Sequence, residues 1–272
     1  MTQKLSSLIY TLKNYKIKSI VQNIVSIAIS DAVVVSFQKS GRTWLRLMFG
    51  KVLSEQYKID KIKLDAQWMT IFKPLPNVFF SHGGCIKNYN KINFQKMFSN
   101  KKIILLVRDP RAVIVSLFHD HTKRNHFYKG NSQSEFIKTK WGLDKVITFM
   151  NGWAEEFKQR NGKNILILRY EDLYTNTARE LKKFLDFLEV KADEDIIDQA
   201  VEYGSVKNMR RMELKNSFDD PRMSPGNIND QNSYRTRKCK LGSFREELSV
   251  EDLNYVTQEI KGKLDPLFGY PQ

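Results

Sequence analysis

The sequence predicts a three-layer α/β fold, with a mostly parallel central sheet flanked by helices, on three observations. Compact apolar runs occur at Val33–Val35, Asn77–Ser81, Lys101–Val107 and Asn164–Tyr170, rich in Val, Ile, Leu and Phe and too short for helices. Segments with apolar residues at helical spacing separate them, as expected of parallel strands joined by crossover helices. Each run stops abruptly in glycine or charged residues, and in open α/β sheets ligands bind where strands end.

Taken in order, the chain begins with Leu5, Leu8, Ile9, Leu12, Ile20, Val21, Ile24 and Ile27 near helical spacing, with Lys4, Lys13, Lys16 and Lys18 between them. This predicts an amphipathic helix over about residues 3–29, packed on its own domain. Val33–Val35 form the first strand and pass through Ser36 and Phe37 into Gln38-Lys39-Ser40-Gly41-Arg42-Thr43. Trp44, Leu45, Leu47, Met48 and Val52 then give a helix from Thr43 to about Gln56. Pro74 and Pro76 close the polar stretch that follows, and Asn77–Ser81 is a short buried strand breaking into His82-Gly83-Gly84. Lys101–Val107 is the clearest buried strand; Pro110 suits the first position of the next helix, which carries Ser116 and His119. Ser134–Arg160 gives one or two long helices, and Asn164–Tyr170 a fourth strand. Helices over Thr177–Leu188, Asp193–Tyr203, Val206–Met212 and Val250–Lys261 complete the chain, with a long polar loop at about residues 215–247.

With 272 residues, no internal repeat and no low-complexity linker, a single domain over residues 1–272 is the economical reading. The formal net charge of +15 points to an anionic partner or substrate. Two cysteines, Cys85 and Cys239, exclude a disulfide framework and a Cys-rich zinc site and fit a reducing compartment. No apolar run is long enough for a membrane span, which with the lack of a secretory signal predicts a cytoplasmic protein.

The first strand, tight turn and helix form an anion site on physical grounds. Gly41 permits backbone angles that a side chain forbids, Ser40 and Thr43 are candidate caps, and consecutive backbone N–H groups face one concavity at a helix N-terminus. Lys39 adds a full charge at its mouth. The triphosphate-binding pattern G-x-x-x-x-G-K-[ST] fails here, because Lys39 precedes Gly41 and no second glycine lies upstream. A second cationic point is Arg108, whose planar fork suits phosphate oxygens, with the Ser116 hydroxyl in reach on the following helix.

Lys39-Ser40-Gly41-Arg42-Thr43-Trp44 resembles the 5′-phosphosulfate loop of sulfotransferases that use 3′-phosphoadenosine 5′-phosphosulfate (PAPS). Arg108-Asp109-Pro110-Arg111, with Ser116 eight residues after Arg108, is similar to that family's 3′-phosphate motif, although Ala112 replaces the usual aspartate. Leu168–Leu173 resembles the strand ending in Y-E-D-[LM]. Arg235–Phe244 resembles R-K-G-x-x-G-x-W, with Cys239 for a glycine and Phe244 for the tryptophan, and Tyr203–Met209 echoes T-S-F-x-x-M with Ser205 as the polar match. The resemblance implies a P-loop-like fold and PAPS as donor, with 3′-phosphoadenosine 5′-phosphate (PAP) as product and no metal. It implies donor binding by Lys39, Ser40, Gly41, Arg42 and Thr43 at the 5′ end, by Arg108, Ser116, Arg237 and Lys238 at the 3′ end, by Trp44 and Tyr170 beside the adenine, and by Ser205.

Sulfuryl transfer should be an in-line displacement, with Lys39 stabilising the leaving phosphate and His82, at an ordinary near-neutral pKa, as general base. His119 and His121 are weaker candidates for the base. The implied acceptor is a hydroxyl or amine of a small molecule, including specialised natural products, with neither nucleic acid nor an integral membrane span involved; a homodimer is compatible. Acceptor choice is expected from the Lys58–Pro76, Gly83–Phe98, Asn125–Gln133 and Lys215–Tyr234 segments, with Asp65, Trp68, Asp120 and Asp219 as candidate contacts. A P-loop nucleotide kinase and a non-catalytic binder of polyanions are the competing readings.

Overall fold

A computed structural model describes residues 22–82, 98–130 and 132–270. Four strands, β1 (Ala32–Ser36), β2 (Val78–Ser81), β3 (Lys102–Val107) and β4 (Ile165–Arg169), form one sheet in the order β2-β1-β3-β4. Every pairing is parallel, with Val35 opposite Ser81 and Leu105, and Val107 opposite Arg169. The sheet is as apolar as its sequence because both faces are covered. Side chains alternate along a strand, so Val33, Val35, Ile103 and Leu105 pack on one face while Ala32, Val34, Ile104 and Leu106 pack on the other.

Helices α1 (Arg42–Gln56), α6 (Thr177–Phe187) and α7 (Glu194–Tyr203) cover the second face through Phe49, Phe184 and Ala200. The first face receives α2 (Pro110–His119), α4 (Leu143–Gln159) and α9 (Val250–Lys263) through Val113, Trp153 and Val256. The Ser134–Arg160 stretch is two helices, α3 (Gln133–Lys138) and α4, while α5 (Tyr170–Thr175) and α8 (Val206–Leu214) complete the set used below. Of the expected N-terminal helix, residues 22–28 are helical and Ile27 is buried in the first core; its first nineteen positions lie outside the described residues. So does most of the Gly83–Phe98 segment.

The long polar loop is ordered rather than slack. Glu213, wholly buried at the end of α8, accepts from the backbone N–H groups of Arg235 and Thr236 and from the Thr236 hydroxyl. A buried carboxylate is stable only when its oxygens find donors, and here the loop supplies them.

Candidate active site

The strand order dictates the site. Successive strands are added first on one side of β1 (β2) and then on the other (β3, β4), so the crevice opens between the carboxyl ends of β1 and β3. The residues just beyond four adjacent strand ends are His82 after β2, the Lys39 loop after β1, Arg108 after β3 and Tyr170 after β4. They line one cleft of about 410 Å³.

In the Lys39 loop both Lys39 (φ 67°) and Gly41 (φ 96°) are left-handed. Gly41 is the N-cap of α1, and no side chain caps that helix. The expectation that Ser40 and Thr43 do so is therefore corrected: Ser40 is buried outside the cleft lining, and Thr43 lies within the first helical turn and lines the cleft. The leading N–H groups of α1 thus have no side-chain acceptor, the condition under which a helix N-terminus receives an anion. Gly41 is required twice over, since a Cβ there would stand 2.6 Å from Cδ2 of Tyr170.

Lys39 Nζ lies 2.8 Å from Asp120 Oδ1, on the turn that follows α2. Burial pushes the Lys39 pKa down to about 8 against the opposing pull of Asp120. His82 Nε2 accepts from Arg42 Nη2, which requires an unprotonated nitrogen. Enclosure by protein atoms, then the charges of Arg42 and Arg46, hold the His82 pKa well below its ordinary value even though the outer part of the residue meets solvent. The near-neutral value expected from the sequence is thus corrected to a lower one.

At the opposite end, Arg108 Nη1 donates to the Lys39 carbonyl at 2.9 Å, and its guanidinium lies 4.2 Å from the centre of the Tyr170 ring. Tyr170 meets Trp44 edge to face, with centroids 5.7 Å apart. Ser116 and Ser205 also line the cleft, and the Ser205 oxygen caps α8 by accepting from Asn208 N. Arg237 is held by Glu247 through contacts of 2.6 and 2.9 Å, while Lys238 stands 3.3 Å from Glu246. Both basic residues face the cleft already paired, not free as the sequence suggested. Cys239, where the resembling motif has glycine, keeps a left-handed backbone at φ 48°. Phe244, in place of the tryptophan, is buried on the lining beneath Arg111.

The cleft fits a nucleotide with an anion at each end. Buried Arg108 Nε and Arg42 Nη1 have no protein partner, and the helix N-terminus between them lacks a side-chain cap. Further corrections concern the candidate acceptor contacts and the alternative base His119. Asp120 is committed to Lys39, and Asp65 to Arg222 at 2.8 and 2.9 Å. Trp68 and Asp219 do not line the cleft, and His119 instead meets Glu247 at 3.1 Å. Sequence reasoning missed roles for Glu247, Arg46 and Arg235; Arg46 carried a signal in following Arg42 by one helical turn, and Arg235 in opening the late basic motif, whereas Glu247 carried none.

A family described as the sulfotransferase domain matches residues 29–267. The 3-beta-hydroxysteroid sulfotransferase of Cavia porcellus is 25% identical over 264 residues, covering 89% of this chain and 85% of its own. The amine sulfotransferase of Oryctolagus cuniculus is 24% identical over 239 residues, covering 81% and 76%. In structure, mouse sulfotransferase SULT7A1 complexed with PAP superposes with a TM-score of 0.63 at 18% identity, covering 88% of each chain. Among the described residues no helix is long and apolar enough to cross a membrane and no cluster of His, Cys, Asp and Glu could hold a metal ion. With its parallel sheet, its two cationic strand ends and a domain match across nearly its whole length, the chain belongs to the sulfotransferase family and is an enzyme that moves the sulfuryl group of PAPS to a hydroxyl or amine of a small acceptor.

Proposed function

We propose that the reaction runs along the edge defined by His82, Lys39, Arg108 and Tyr170, with the acceptor over β2 and the donor over β1, β3 and β4. The observation that carries this reading is the strand order itself, which sets a candidate base, a phosphate-binding turn, a guanidinium fork and an aromatic face side by side in the sequence a PAPS molecule needs. Neighbouring strands are about 4.8 Å apart, so the three gaps span roughly the length of a nucleotide.

In this reading Lys39, Arg42 and the backbone N–H groups from Gly41 to Thr43 hold the 5′ end. Arg108, Ser116, Ser205, Arg237 and Lys238 hold the 3′-phosphate, and Trp44 and Tyr170 flank the adenine. The acceptor oxygen or nitrogen bonds to sulfur while the sulfur–oxygen bond to the 5′-phosphate breaks and its electron pair leaves on that phosphate oxygen. Lys39 meets that growing charge, a stabilisation made chiefly in the transition state. His82 Nε2 takes the proton, its lone pair made available when Arg42 turns toward the incoming anion. The buried Lys39–Asp120 pair keeps the ammonium in place until then.

A small-molecule acceptor, not nucleic acid, is favoured because these cations converge inside a cleft instead of spreading over an open face. The low cysteine content is consistent with a cytoplasmic setting. The test is a thermal shift with PAP and with ATP, followed by turnover of labelled PAPS. PAP should stabilise strongly and ATP weakly, by mass action. Lys39→Ala and His82→Ala should each abolish turnover, with the Lys39 variant still folded. Wild-type rates in the His82 variant would remove it from the mechanism.

A further inference from the structure

The acceptor end of the cleft is lined by four guanidiniums, Arg42, Arg46, Arg222 and Arg235. Arg222 is answered by Asp65 and Asp220. Among the described residues none of the other three forms an ion pair with a carboxylate, although Arg42 touches His82, Arg46 lies over the Phe80 ring and Arg235 Nε donates to the Arg222 carbonyl. Arg46 is buried, 5% exposed, with an Nε that has no partner.

No carboxylate side chain comes within ion-pair distance of these three, although Asp65 and Asp220 act on Arg46, and Asp120 and Glu213 on Arg235, from further away. Residues 1–21 and 83–97, which include the segment following His82, contain no Asp or Glu and add seven lysines. Every carboxylate side chain therefore belongs to the described residues, and none pairs with Arg42, Arg46 or Arg235. Desolvation and then the neighbouring arginines bring the Arg46 pKa to about 10, still far above neutrality, so the group stays charged. Buried charge without a partner is costly, and it persists where a ligand completes it. The donor's sulfuryl group can satisfy Arg42 in the Lys39 loop. It leaves Arg46, one helical turn further on against β2, and Arg235 on the late loop lining the same cleft.

We infer that the acceptor carries an oxyanion, a carboxylate, phosphate or sulfate, besides the hydroxyl or amine that is sulfated, and that Arg46 and Arg235 receive it. This rests on the sulfotransferase reading of the same cleft. With Arg46 on α1 and Arg235 on the late loop, the oxyanion is held from two separate elements, and the hydroxyl or amine on the rest of the molecule turns toward His82.

The experiment measures PAPS-dependent kinetics on two matched sets: 4-hydroxyphenylacetate, 4-ethylphenol and tyramine, and glucuronate, glucose and glucosamine. Thermal shifts of the PAP-loaded enzyme with the same six compounds are read in parallel. Within a set the acid should exceed the neutral compound at least tenfold in kcat/KM, mostly through KM, and the cation should be poorest. The acid alone should raise the melting temperature. Arg46→Gln should erase the preference by raising KM for the acid tenfold or more, and Arg46→Glu should turn it toward the cation. Both variants should keep PAP affinity within twofold, which also shows that they fold. Equal or better use of the neutral or cationic compounds overturns the inference, as does stabilisation by none of the acids. Failure of PAP to bind the wild-type chain would instead overturn the sulfotransferase reading beneath it.

Discussion

Arg108 donates from Nη1 to the backbone carbonyl of Lys39 at 2.9 Å, so the guanidinium at the end of β3 braces the turn at the end of β1. The same guanidinium lies over Tyr170 at the end of β4. One side chain thus fixes the relative positions of three strand ends. Arg108→Lys should retain charge but lose the fork and the planar stacking, lowering PAP affinity at least tenfold with little change in melting temperature, as titration calorimetry would show. Affinity within twofold of wild type would mean that charge alone suffices.

Gly41→Ala combines a left-handed backbone with a contact of 2.6 Å to Tyr170. The expected outcome is a stability loss of about 1 to 2 kcal/mol and PAP binding weakened beyond tenfold, checked by urea unfolding and calorimetry.

Lys39 must be protonated to meet the leaving phosphate, and its pKa lies at about 8. The kcat/KM for PAPS should therefore fall as pH rises through about 8, while the acid limb set by His82 lies well below 6.5. Asp120 raises the Lys39 value, so Asp120→Asn should move the alkaline limb to lower pH; an unmoved limb would assign that titration elsewhere.

Glu247 binds Arg237 and His119 at once, and these donors outweigh burial to hold its pKa at about 2, below the usual 4.5. A carboxylate depressed in the folded state stabilises above its unfolded pKa, and this contribution is lost as pH falls from about 4.5 toward 2. Glu247→Gln should cost about 2 kcal/mol at pH 7 and almost nothing near pH 2, by denaturation at both pH values.

Cys239 holds a glycine-like backbone with φ 48°. Cys239→Gly should leave stability within about 1 kcal/mol, because relieved strain offsets added freedom in the unfolded chain. The β-branched Cys239→Val should lose about 2 kcal/mol or more, as left-handed angles crowd its side chain.

Much of the fold was legible because buried parallel strands write themselves as continuous apolar runs, and Val33–Val35 or Ile103–Val107 admit no other placement. The positions of Lys39 and Arg108 were equally readable, since both follow the ends of clear strands. What the sequence concealed were relations between distant segments. Asp120 appeared as a free carboxylate, yet the turn after α2 brings it to Lys39. Arg237 and Lys238 appeared free until Glu247 and Glu246 met them. The segments expected to choose the acceptor supply only Arg222 to the described lining, whereas Arg46 and Arg235 come from stretches first read for the donor.

The placement of β2 at the margin of the sheet has a consequence for divergence. Lys39 and Arg108 grow from the interior strands β1 and β3, where a changed residue disturbs neighbours on both sides. Among the described residues the strand presenting His82 has a single hydrogen-bonded neighbour, so residues around it can be exchanged one at a time without loosening the grip on the donor. Such an arrangement lets one inherited engine be refitted to new molecules, and the arginines gathered there are the present fitting.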